Sequence, residues 1–476
     1  MRPFRVLLCI LSTFAVLAAV CAVFAGKSEV VRVPSLASVL SLPQQVADTM
    51  PIEPTPVDTL PVLADTVPAQ SEQQPLADTT PVKPVPTELP KALPQTKLQL
   101  PAFYAALGKA DQQMVRVVHF GDSQIEEDRI SMILRRRLQE RFGGGGIGLV
   151  PMVQTIPTYT AKQTLEQDGH EIPYTTVRRY LAYGPSSMRL KDDNRYGPMA
   201  QLASIDQPVD VRIELLRDRV PTNDFDRVRV LCTDSVTVIV DPDSVPAQLP
   251  VIALDEPRRD ILLHIGGTGC VYGISLETAI GVQVDNIPMR GAAGTNFTTM
   301  ARQPFAAFFS ETNTALVIMQ FGGNAMPAIR TQAAVEKYVA SMRQQIHFMM
   351  SAAPNASLLF IGPSDMITTV EGEQMTYPML PLLDRMLAEM VAEEGGAYYS
   401  LFRLMGGAGS MFSWKEKGLA GEDMIHFTRA GAKKVGEMLA KQILEDYDQL
   451  SALSNQQSAV SDTINSDTIN SEAINE

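Results

Sequence analysis

The sequence predicts an α/β protein whose sheet is doubly wound and mainly parallel, with an all-β domain inserted into it. Two stretches, 101–160 and 283–450, alternate short apolar strand patterns with helical periodicity. Between them, residues 161–282 carry strand patterns and turn-rich connections without a helical period. Alternating strands and helices are typical of a parallel sheet, whose sites lie at the carboxyl ends of its strands.

The first stretch begins with a buried-strand pattern at 115–120, and a helix is predicted to follow over 125–142. Acidic residues at 126–128 would occupy the first turn of this helix, and arginines its last turns, as the helix dipole favours. The glycine run at 143–146 is interpreted as a helix stop and a flexible loop. It is not interpreted as a phosphate-binding loop, because such loops open a helix.

Further strand patterns define the other two stretches. In the insert they are predicted at 209–216, 227–232, 236–240, 261–265 and 271–276. The second α/β stretch has strands at 315–321 and 357–361 and two helices, whose inward faces carry Val335, Val339, Met342, Ile346 and Met349, and Val435, Met438, Leu439 and Ile443.

The first 26 residues are predicted to be a signal peptide or a membrane anchor. Residues 6–26 carry no charge and follow Arg2 and Arg5, so they are long enough to cross a bilayer. A small-residue motif at 23–25 would suit cleavage, and Cys21 leaves lipidation as a third alternative. Each alternative exports the rest of the chain to the periplasm or the cell envelope, where an uncleaved segment would hold it to the inner membrane.

Residues 27–100 and 451–476 are predicted to be a disordered spacer and a disordered repeat tail. The spacer has 13 Pro and no Gly or aromatic residue, so it lacks the apolar surface for a core. Both segments repeat a unit with Asp-Thr at its centre, as in 461–465 and 466–470. Slippage of a low-complexity tract and O-glycosylation are the two explanations left open.

Composition restricts the classes of partner. The chain has 476 residues, with 40 Lys and Arg against 53 Asp and Glu, which gives a net charge of −13. An acidic chain with a single Trp is a poor nucleic-acid binder. The five His show no metal-ligand spacing, so neither a metal nor another cofactor is expected.

A candidate nucleophile follows the first predicted strand. Gly121-Asp122-Ser123 places the Ser123 hydroxyl on a strand-to-helix turn, where helix amides point at the group under attack. The competing interpretation is an ordinary helix cap, for which Ser and Asp are both common.

A candidate acid–base pair precedes the last helix. Asp423 and His426 are three residues apart, so the carboxylate could hold the imidazole tautomer that accepts a serine proton. The competing interpretation is a capping cluster at the start of that helix.

Two further turns supply candidate oxyanion donors. Asn324 ends a predicted strand in Phe321-Gly322-Gly323-Asn324, and Gly291 lies in a small-residue turn where its backbone N–H can approach an anion. Both turns are also compatible with ordinary strand-to-helix connections.

The order of these four motifs resembles that of the SGNH, or GDSL-type, hydrolase family, over about half of the chain. The resemblance implies Ser123 as nucleophile, His426 as general base and Asp423 as its orienting carboxylate. It also implies an oxyanion hole made of the Ser123 and Gly291 amides and the Asn324 side chain. The sequence departs from the family at Ala325, where an Asp usually follows the Asn.

Residues 118–124, together with the glycine run and the Gly-Leu-Val-Pro at 148–151, are most similar to bacterial peptidoglycan O-acetylesterases. Those proteins also carry a β-domain between the first two motifs. The resemblance implies an exported serine esterase that removes acetyl groups from O-acetylated cell-wall glycan. An O-acyltransferase of the same fold and an inactive glycan-binding protein are the alternatives.

The remaining site predictions concern cysteine and histidine. Cys232 and Cys270 are the only cysteines after the leader, and export leaves open either a disulfide or two buried thiols. His119 is in strand register beside the serine turn, which favours packing over catalysis.

Overall fold

Five parallel strands form the central sheet. The computed structural model describes residues 97–184, 188–190, 194–216, 224–241 and 251–472, with the backbone alone for 454–472. In chain order the strands are β1 (Met114–Gly121), β2 (Gly281–Pro288), β3 (Thr314–Gln320), β4 (Ser357–Ile361) and β5 (Ala397–Tyr399). Their order across the sheet is β2–β1–β3–β4–β5. The sheet therefore has β1 near its middle, with β2 and β3 on either side.

Helices cover both faces of this sheet, as the doubly wound prediction requires. They are α1 (Pro101–Leu107), α2 (Ser131–Phe142), α3 (Arg302–Glu311), α4 (Gln332–Ala352), α5 (Leu380–Glu393), α6 (Leu401–Met405), α7 (Ser410–Glu416) and α8 (Arg429–Glu472). Side chains alternate along a strand, so Val118 and Phe120 pack with α3, α4 and α5. Val115 and Val117 pack on the other face with α1, α2 and α8.

The region between β1 and β2 contains two antiparallel sheets with a shared core. One consists of Val251–Arg258, Phe225–Cys232, Gly269–Glu277, Gln201–Ile205 and Arg178–Leu181, with Gly148–Val150 added beside Gly269–Glu277. The other consists of His170–Ile172, Ala161–Gln167, Val209–Leu215, Asp260–Gly267 and Val236–Val240. A two-stranded hairpin, Ile367–Val370 with Glu373–Thr376, follows β4.

The α/β fold with a parallel sheet is thus present, together with antiparallel sheets in the predicted place. The described residues from 97 onward fall into one compact unit, which does not divide the antiparallel region from the rest. The separate inserted domain at 161–282 therefore stays a prediction.

The predicted start of the first helix at 125 was wrong. Residues Ser123–Asp128 form a 3-10 turn, in which Glu126 and Glu127 have non-helical dihedral angles. Helix α2 begins only at Ser131. Two ion pairs hold the turn, one between Glu126 and Arg290 and one between Asp128 and Arg135. Glu126 and Asp128 therefore serve ion pairs and not the helix dipole, while Glu127 hydrogen-bonds with Tyr159.

The glycine run after α2 ends the helix as expected, but it is a packed segment. Gly143 caps α2 with φ of 76°. At Gly146 a Cβ would lie 2.1 Å from the Leu276 carbonyl oxygen. Glycine is required there because the backbone lies directly against a neighbouring strand.

The two ends of the folded region also differ from expectation. Within the predicted spacer, residues 97–100 are described, and Leu98 and Leu100 are buried in the core. Within the predicted disordered tail, α8 continues as far as Glu472. Neither Gly nor Pro occurs after Gly436, so no residue type that breaks helices interrupts it.

The predicted leader at 1–26, with Cys21, and most of the spacer lie outside the described residues. Among the residues that are described, no helix combines the length and the apolar character that a membrane crossing demands. Cys232 lies opposite Val271, the residue after Cys270, on two paired strands. The disulfide between the two cysteines stays a prediction.

Candidate active site

The predicted catalytic residues gather at one edge of the parallel sheet. Ser123 follows the carboxyl end of β1, and Gly291 and Asn324 follow the carboxyl ends of the neighbouring strands β2 and β3. His426 lies in the loop that leads into α8. Because parallel strands end at the same edge, the fold brings motifs from distant parts of the chain to a single place.

Ser123, His426 and Asp423 form a continuous hydrogen-bonded chain. The Ser123 Oγ is 2.9 Å from His426 Nε2, although 303 positions separate the two residues. On the other side of the ring, His426 Nδ1 is 2.7 Å from Asp423 Oδ2. This is the order nucleophile, base and orienting carboxylate that serine catalysis requires.

Asp423 stays ionised although its side chain is only about 40% exposed. Burial raises its pKa, but hydrogen bonds from His426 and from the backbone N–H groups of Ile425 and His426 outweigh burial and lower the pKa to about 2. An ionised carboxylate only accepts hydrogen bonds, so His426 Nδ1 carries the proton. Nε2 is then the acceptor for the Ser123 hydroxyl.

Backbone hydrogen bonds hold the histidine loop, residues 417–428. Gly421 N–H donates to the His426 carbonyl oxygen at 2.8 Å, and Met424 N–H donates to the Gly421 carbonyl oxygen at 3.0 Å. Ile367 of the hairpin after β4 donates its N–H to the Met424 carbonyl oxygen at 3.1 Å. These bonds fix the position of the imidazole before any substrate binds.

Asp122 caps the turn that carries Ser123, the candidate nucleophile. Its Oδ1 accepts the Gln124 N–H at 2.9 Å, and its Oδ2 accepts Asn324 Nδ2 at 3.1 Å. Burial raises the pKa of Asp122 to about 6, against the opposing effect of these hydrogen bonds. The helix cap that was the competing interpretation of Gly121-Asp122-Ser123 is therefore present, and Asp122 provides it. The Ser123 hydroxyl is left to hydrogen-bond with His426.

Asn324 lines the same cavity as Ser123 and His426. Its Nδ2 donates to Asp122 and, at 3.3 Å, to the Ala292 carbonyl oxygen. To bind an oxyanion, the amide must therefore give up or share the longer of these bonds. Ala325, the next residue in the chain, is buried.

Gly291 directly precedes Ala292, whose carbonyl oxygen accepts the Asn324 amide. Its φ is 73°, and nothing lies within 4 Å of a Cβ built on it. It is not among the described residues that line the cavity around Ser123. Its role in the oxyanion hole stays a prediction.

The cavity beside Ser123 and His426, the candidate catalytic cavity, has a volume of about 150 Å³. Its walls come from the turns that follow β1, β3 and β4 and from the histidine loop, and they include Gln320, Phe321, Pro327, Pro363, Ser364 and Ile425. A space of this size accommodates a small acyl group beside the Ser123 hydroxyl.

Gln124 and Arg129 join the turn Ser123–Asp128, named the nucleophile turn after its candidate nucleophile, to the histidine loop. The sequence did not predict this role. Gln124 Nε2 donates to the Ile425 carbonyl oxygen at 2.7 Å. Arg129 donates to the carbonyl oxygens of Ser123, Gln124 and Phe427. A polar residue directly after the serine was the only signal in the sequence.

His119 is fully buried, between Ser131 Oγ at 2.9 Å and Gln320 Oε1 at 3.1 Å. Burial lowers its pKa to about 4, and it lies apart from the chain that begins at Ser123. In the described part of the protein, no cluster of three or more His, Cys, Asp or Glu side chains is arranged to hold a metal ion.

No family model and no curated protein matches this chain. A solved structure of a peptidoglycan O-acetylesterase matches with a TM-score of 0.60 and 20% sequence identity, covering 73% of this chain and 96% of that one. A family two carbohydrate esterase from Clostridium thermocellum matches with 13% identity and a TM-score of 0.26, covering 53% of this chain and 97% of that one. The chain thus shares its fold with the solved peptidoglycan O-acetylesterase.

Proposed function

We propose that this protein is a serine esterase that hydrolyses acetyl or other small acyl esters on a cell-wall polysaccharide, in the manner of a peptidoglycan O-acetylesterase. The observation that carries this proposal is the hydrogen-bonded chain from Ser123 through His426 to Asp423. The fold it shares with a peptidoglycan O-acetylesterase supports the choice of substrate class.

In the first half of the reaction, Ser123 Oγ attacks the ester carbonyl carbon and its proton passes to His426 Nε2. The oxyanion of the tetrahedral intermediate is stabilised by N–H donors of the Ser123 and Gly291 backbone and by the Asn324 amide. When the intermediate collapses, the C–O bond to the sugar breaks and His426 protonates the departing sugar oxygen. The acyl group remains on Ser123 as an ester.

In the second half, a water molecule attacks the acyl-enzyme and gives its proton to His426 Nε2. Collapse of this second intermediate returns the proton to Ser123 Oγ and releases the carboxylic acid. Asp423 keeps His426 in the reactive tautomer and stabilises the imidazolium in both halves. A substrate in the cell wall requires export, which agrees with the leader expected from the sequence.

The test is acetate release from O-acetylated peptidoglycan and from a small neutral acetyl ester by the full chain. Ser123→Ala should lower both rates by several powers of ten, since the nucleophile is lost. Ser310→Ala is the matched control, because Ser310 is an exposed serine near the end of α3 and should leave both rates unchanged.

Two results would contradict the proposal. Equal acetate release by wild type and Ser123→Ala would remove Ser123 from the reaction. Transfer of the acetyl group to an added sugar acceptor, with little free acetate, would identify an acyltransferase of the same fold instead.

A further inference from the structure

A second histidine, His119, is connected to the candidate catalytic cavity through one side chain. It lies in β1, is fully buried and is not part of the hydrogen-bonded chain from Ser123. Its ring bridges two polar side chains, with Ser131 Oγ 2.9 Å from Nδ1 and Gln320 Oε1 3.1 Å from Nε2. Gln320 ends the neighbouring strand β3 and lines the candidate catalytic cavity together with Ser123. Gln320 therefore stands between His119 and the cavity.

The position of the proton on His119 follows from its neighbours. Burial lowers the pKa of His119 to about 4, so near pH 7 the ring is neutral and carries one N–H. The Gln320 carbonyl oxygen can only accept, which places this N–H at Nε2. Nδ1 then accepts from the Ser131 hydroxyl, which shares its one hydrogen with Asn286 Oδ1 at 2.7 Å. His119 thus donates to Gln320 and holds one end of its amide in place.

The other end of the Gln320 amide is a donor without an acceptor. Gln320 is only 3% exposed, and among the described residues no atom accepts a hydrogen bond from its Nε2. A buried amide nitrogen gains most from a bound group that supplies the missing acceptor. Of the cavities described above, Gln320 borders the one that contains Ser123 and His426, so that is where a bound group would meet Nε2.

Three side-chain amides line this cavity, and they differ in how many N–H hydrogens they already use within the described part of the protein. Asn324 uses both, one toward Asp122 and one toward a backbone carbonyl oxygen. Gln124 uses one, toward a backbone carbonyl oxygen of the histidine loop. Gln320 uses neither, so it can donate to a substrate without breaking a bond inside the protein.

The size of the cavity indicates which substrate atom Nε2 would meet. A cavity of about 150 Å³ takes a small acyl group and leaves the larger sugar outside. The methyl group of an acetyl ester accepts no hydrogen bond, and the ester oxygen receives its proton from His426 in the proposed reaction. The acceptor that remains is the carbonyl oxygen, which becomes negatively charged when Ser123 attacks.

We propose that Gln320 is a catalytic residue whose Nε2 donates a hydrogen bond to the carbonyl oxygen of the ester, as a further donor of the oxyanion hole, and that His119 positions it. The inference rests on the proposed esterase function and deepens it. No covalent bond forms or breaks in this contact. The hydrogen bond strengthens as the oxygen gains charge, so it stabilises the transition state more than the bound substrate.

The experiment measures kcat and KM of the full-length protein for a small neutral acetyl ester. Gln320→Met removes the donor at a similar side-chain volume, and it should lower kcat by about 10²–10³-fold while KM stays within about threefold. Gln345→Met is the matched control, because Gln345 is equally buried but bonds to Thr298, away from the cavity. It should keep the wild-type kcat, and melting temperatures show that both variants are folded.

Gln320→Asn is the second variant, used if Gln320→Met does not fold. It keeps an amide at this position but withdraws it by one methylene group, so the amide cannot hold to His119 and also reach the ester. We expect it to lower kcat at least about tenfold, again with little change in KM.

The positioning role of His119 is tested by a double-mutant cycle. His119→Phe should lower kcat by about tenfold or more, and His119→Gln should restore part of the loss because it keeps an N–H donor. In the Gln320→Met background, His119→Phe should have no further effect on kcat, since the group through which His119 acts is gone. A purely structural role would lower kcat by the same factor in both backgrounds.

Labelling of Ser123 by a neutral 4-nitrophenyl phosphonate tests the same donor without a second half-reaction. Ser123 Oγ bonds to phosphorus as 4-nitrophenolate leaves, its proton passes to His426, and the P=O oxygen takes the place of the oxyanion. Gln320→Met should lower the rate of nitrophenolate release at least about tenfold, and Gln345→Met should leave it unchanged.

Equal kcat and equal labelling rates for wild type and Gln320→Met would overturn the inference, as would a loss that appears in KM and not in kcat. Either result leaves the esterase proposal intact, because that proposal depends on Ser123→Ala. If wild type releases no acetate, the esterase proposal fails, and the labelling rates alone decide whether Gln320 donates to an oxygen at Ser123. A wild type that is not labelled either overturns both proposals.

Discussion

At the scale of single residues, Asp423 performs two tasks with its two oxygens. Its Oδ1 accepts the backbone N–H groups of Ile425 and His426, which shapes the loop, and its Oδ2 accepts His426 Nδ1–H. With a pKa of about 2, the carboxylate is ionised throughout the neutral range. An acid limb in the activity profile between pH 4 and 7 would therefore come from a group other than Asp423.

Asp423→Asn is expected to lower kcat by about 10²–10⁴-fold with little change in KM. An amide can donate to His426 Nδ1 and so stabilise the tautomer that has its proton on Nε2, which cannot accept the proton of Ser123. The measurement is steady-state hydrolysis of a neutral acetyl ester.

Glu422→Gln is the control for this prediction, since Glu422 is the exposed neighbour of Asp423 and pairs with Lys415 at 2.8 Å. It should retain the wild-type rate. An Asp423→Asn variant within threefold of wild type would mean that the carboxylate does not orient His426.

At the scale of elements, the site depends on how the nucleophile turn is joined to the histidine loop. These segments come from opposite ends of the folded region. The Asp122 cap and two ion pairs hold the first segment, and backbone hydrogen bonds hold the second. Gln124 and Arg129 connect the two segments through side chains that donate to backbone carbonyl oxygens. They are positioning residues, because they act on the geometry of Ser123 and His426.

Arg129→Lys is expected to lower kcat at least tenfold and leave KM within twofold, because one ammonium cannot reach three carbonyl oxygens in the fork geometry of a guanidinium. Steady-state kinetics on a neutral acetyl ester measure this, together with the melting temperature. Arg141→Lys is the matched control on α2, where the arginine is exposed and 3.6 Å from Asp448. Equal kcat values for both variants would exclude the positioning role.

The glycine run provides a prediction about the packing of elements. Gly146→Ala is expected to destabilise the protein by several kcal/mol, because its Cβ would lie 2.1 Å from the Leu276 carbonyl oxygen. Gly143→Ala has nearly the same φ but open space around its Cβ, so it should cost only about 1–3 kcal/mol of backbone strain. Urea unfolding of both variants measures the difference, and equal costs would show that the loop does not pack against the strand.

At the scale of the whole molecule, a buried ion cluster connects the parallel sheet with the antiparallel region. Arg116 in β1 donates to both Asp285 oxygens in β2 at 2.8 Å, and it also pairs with Glu277. Glu277 ends an antiparallel strand and accepts Arg229 as well. Since loss of one partner would leave a buried charge uncompensated, the two regions are expected to unfold together.

The segment before α1 belongs to the same folded unit. Leu98 N–H donates to Asp446 Oδ2 at 2.9 Å, and Leu100 is fully buried. Leu100→Ala should therefore cost about 2–5 kcal/mol in the full chain, measured by thermal or urea unfolding. Gln99→Ala, between the two leucines and exposed, should be nearly neutral. If both substitutions are neutral, the folded region begins after residue 100, as the sequence suggested.

Local patterns in the sequence were sufficient to predict much of the fold and to select the three side chains that the structure joins by hydrogen bonds. The strand at Ser357–Ile361 and the α4 face from Val335 to Met349 are apolar at the spacing their structures require, so periodicity alone identified them. β2 was missed because Gln283 and Asp285 interrupt its apolar pattern. Asp285 is tolerated there because Arg116, from another strand, pairs with it, and sequence periodicity contains no information about such a partner.

The amino-acid sequence by itself determined which chemical groups stand at the carboxyl ends of the strands, and in what order. Hydrogen bonding and apolar periodicity act within a few residues, so motifs such as Gly-Asp-Ser and Asp-x-x-His can be identified without a structure. Only the tertiary structure decided that Ser123 lies 2.9 Å from His426 and that the acidic turn at 126–128 is not α-helical. Those facts depend on how strands far apart in the chain pack together, and such contacts leave no periodic trace in the sequence.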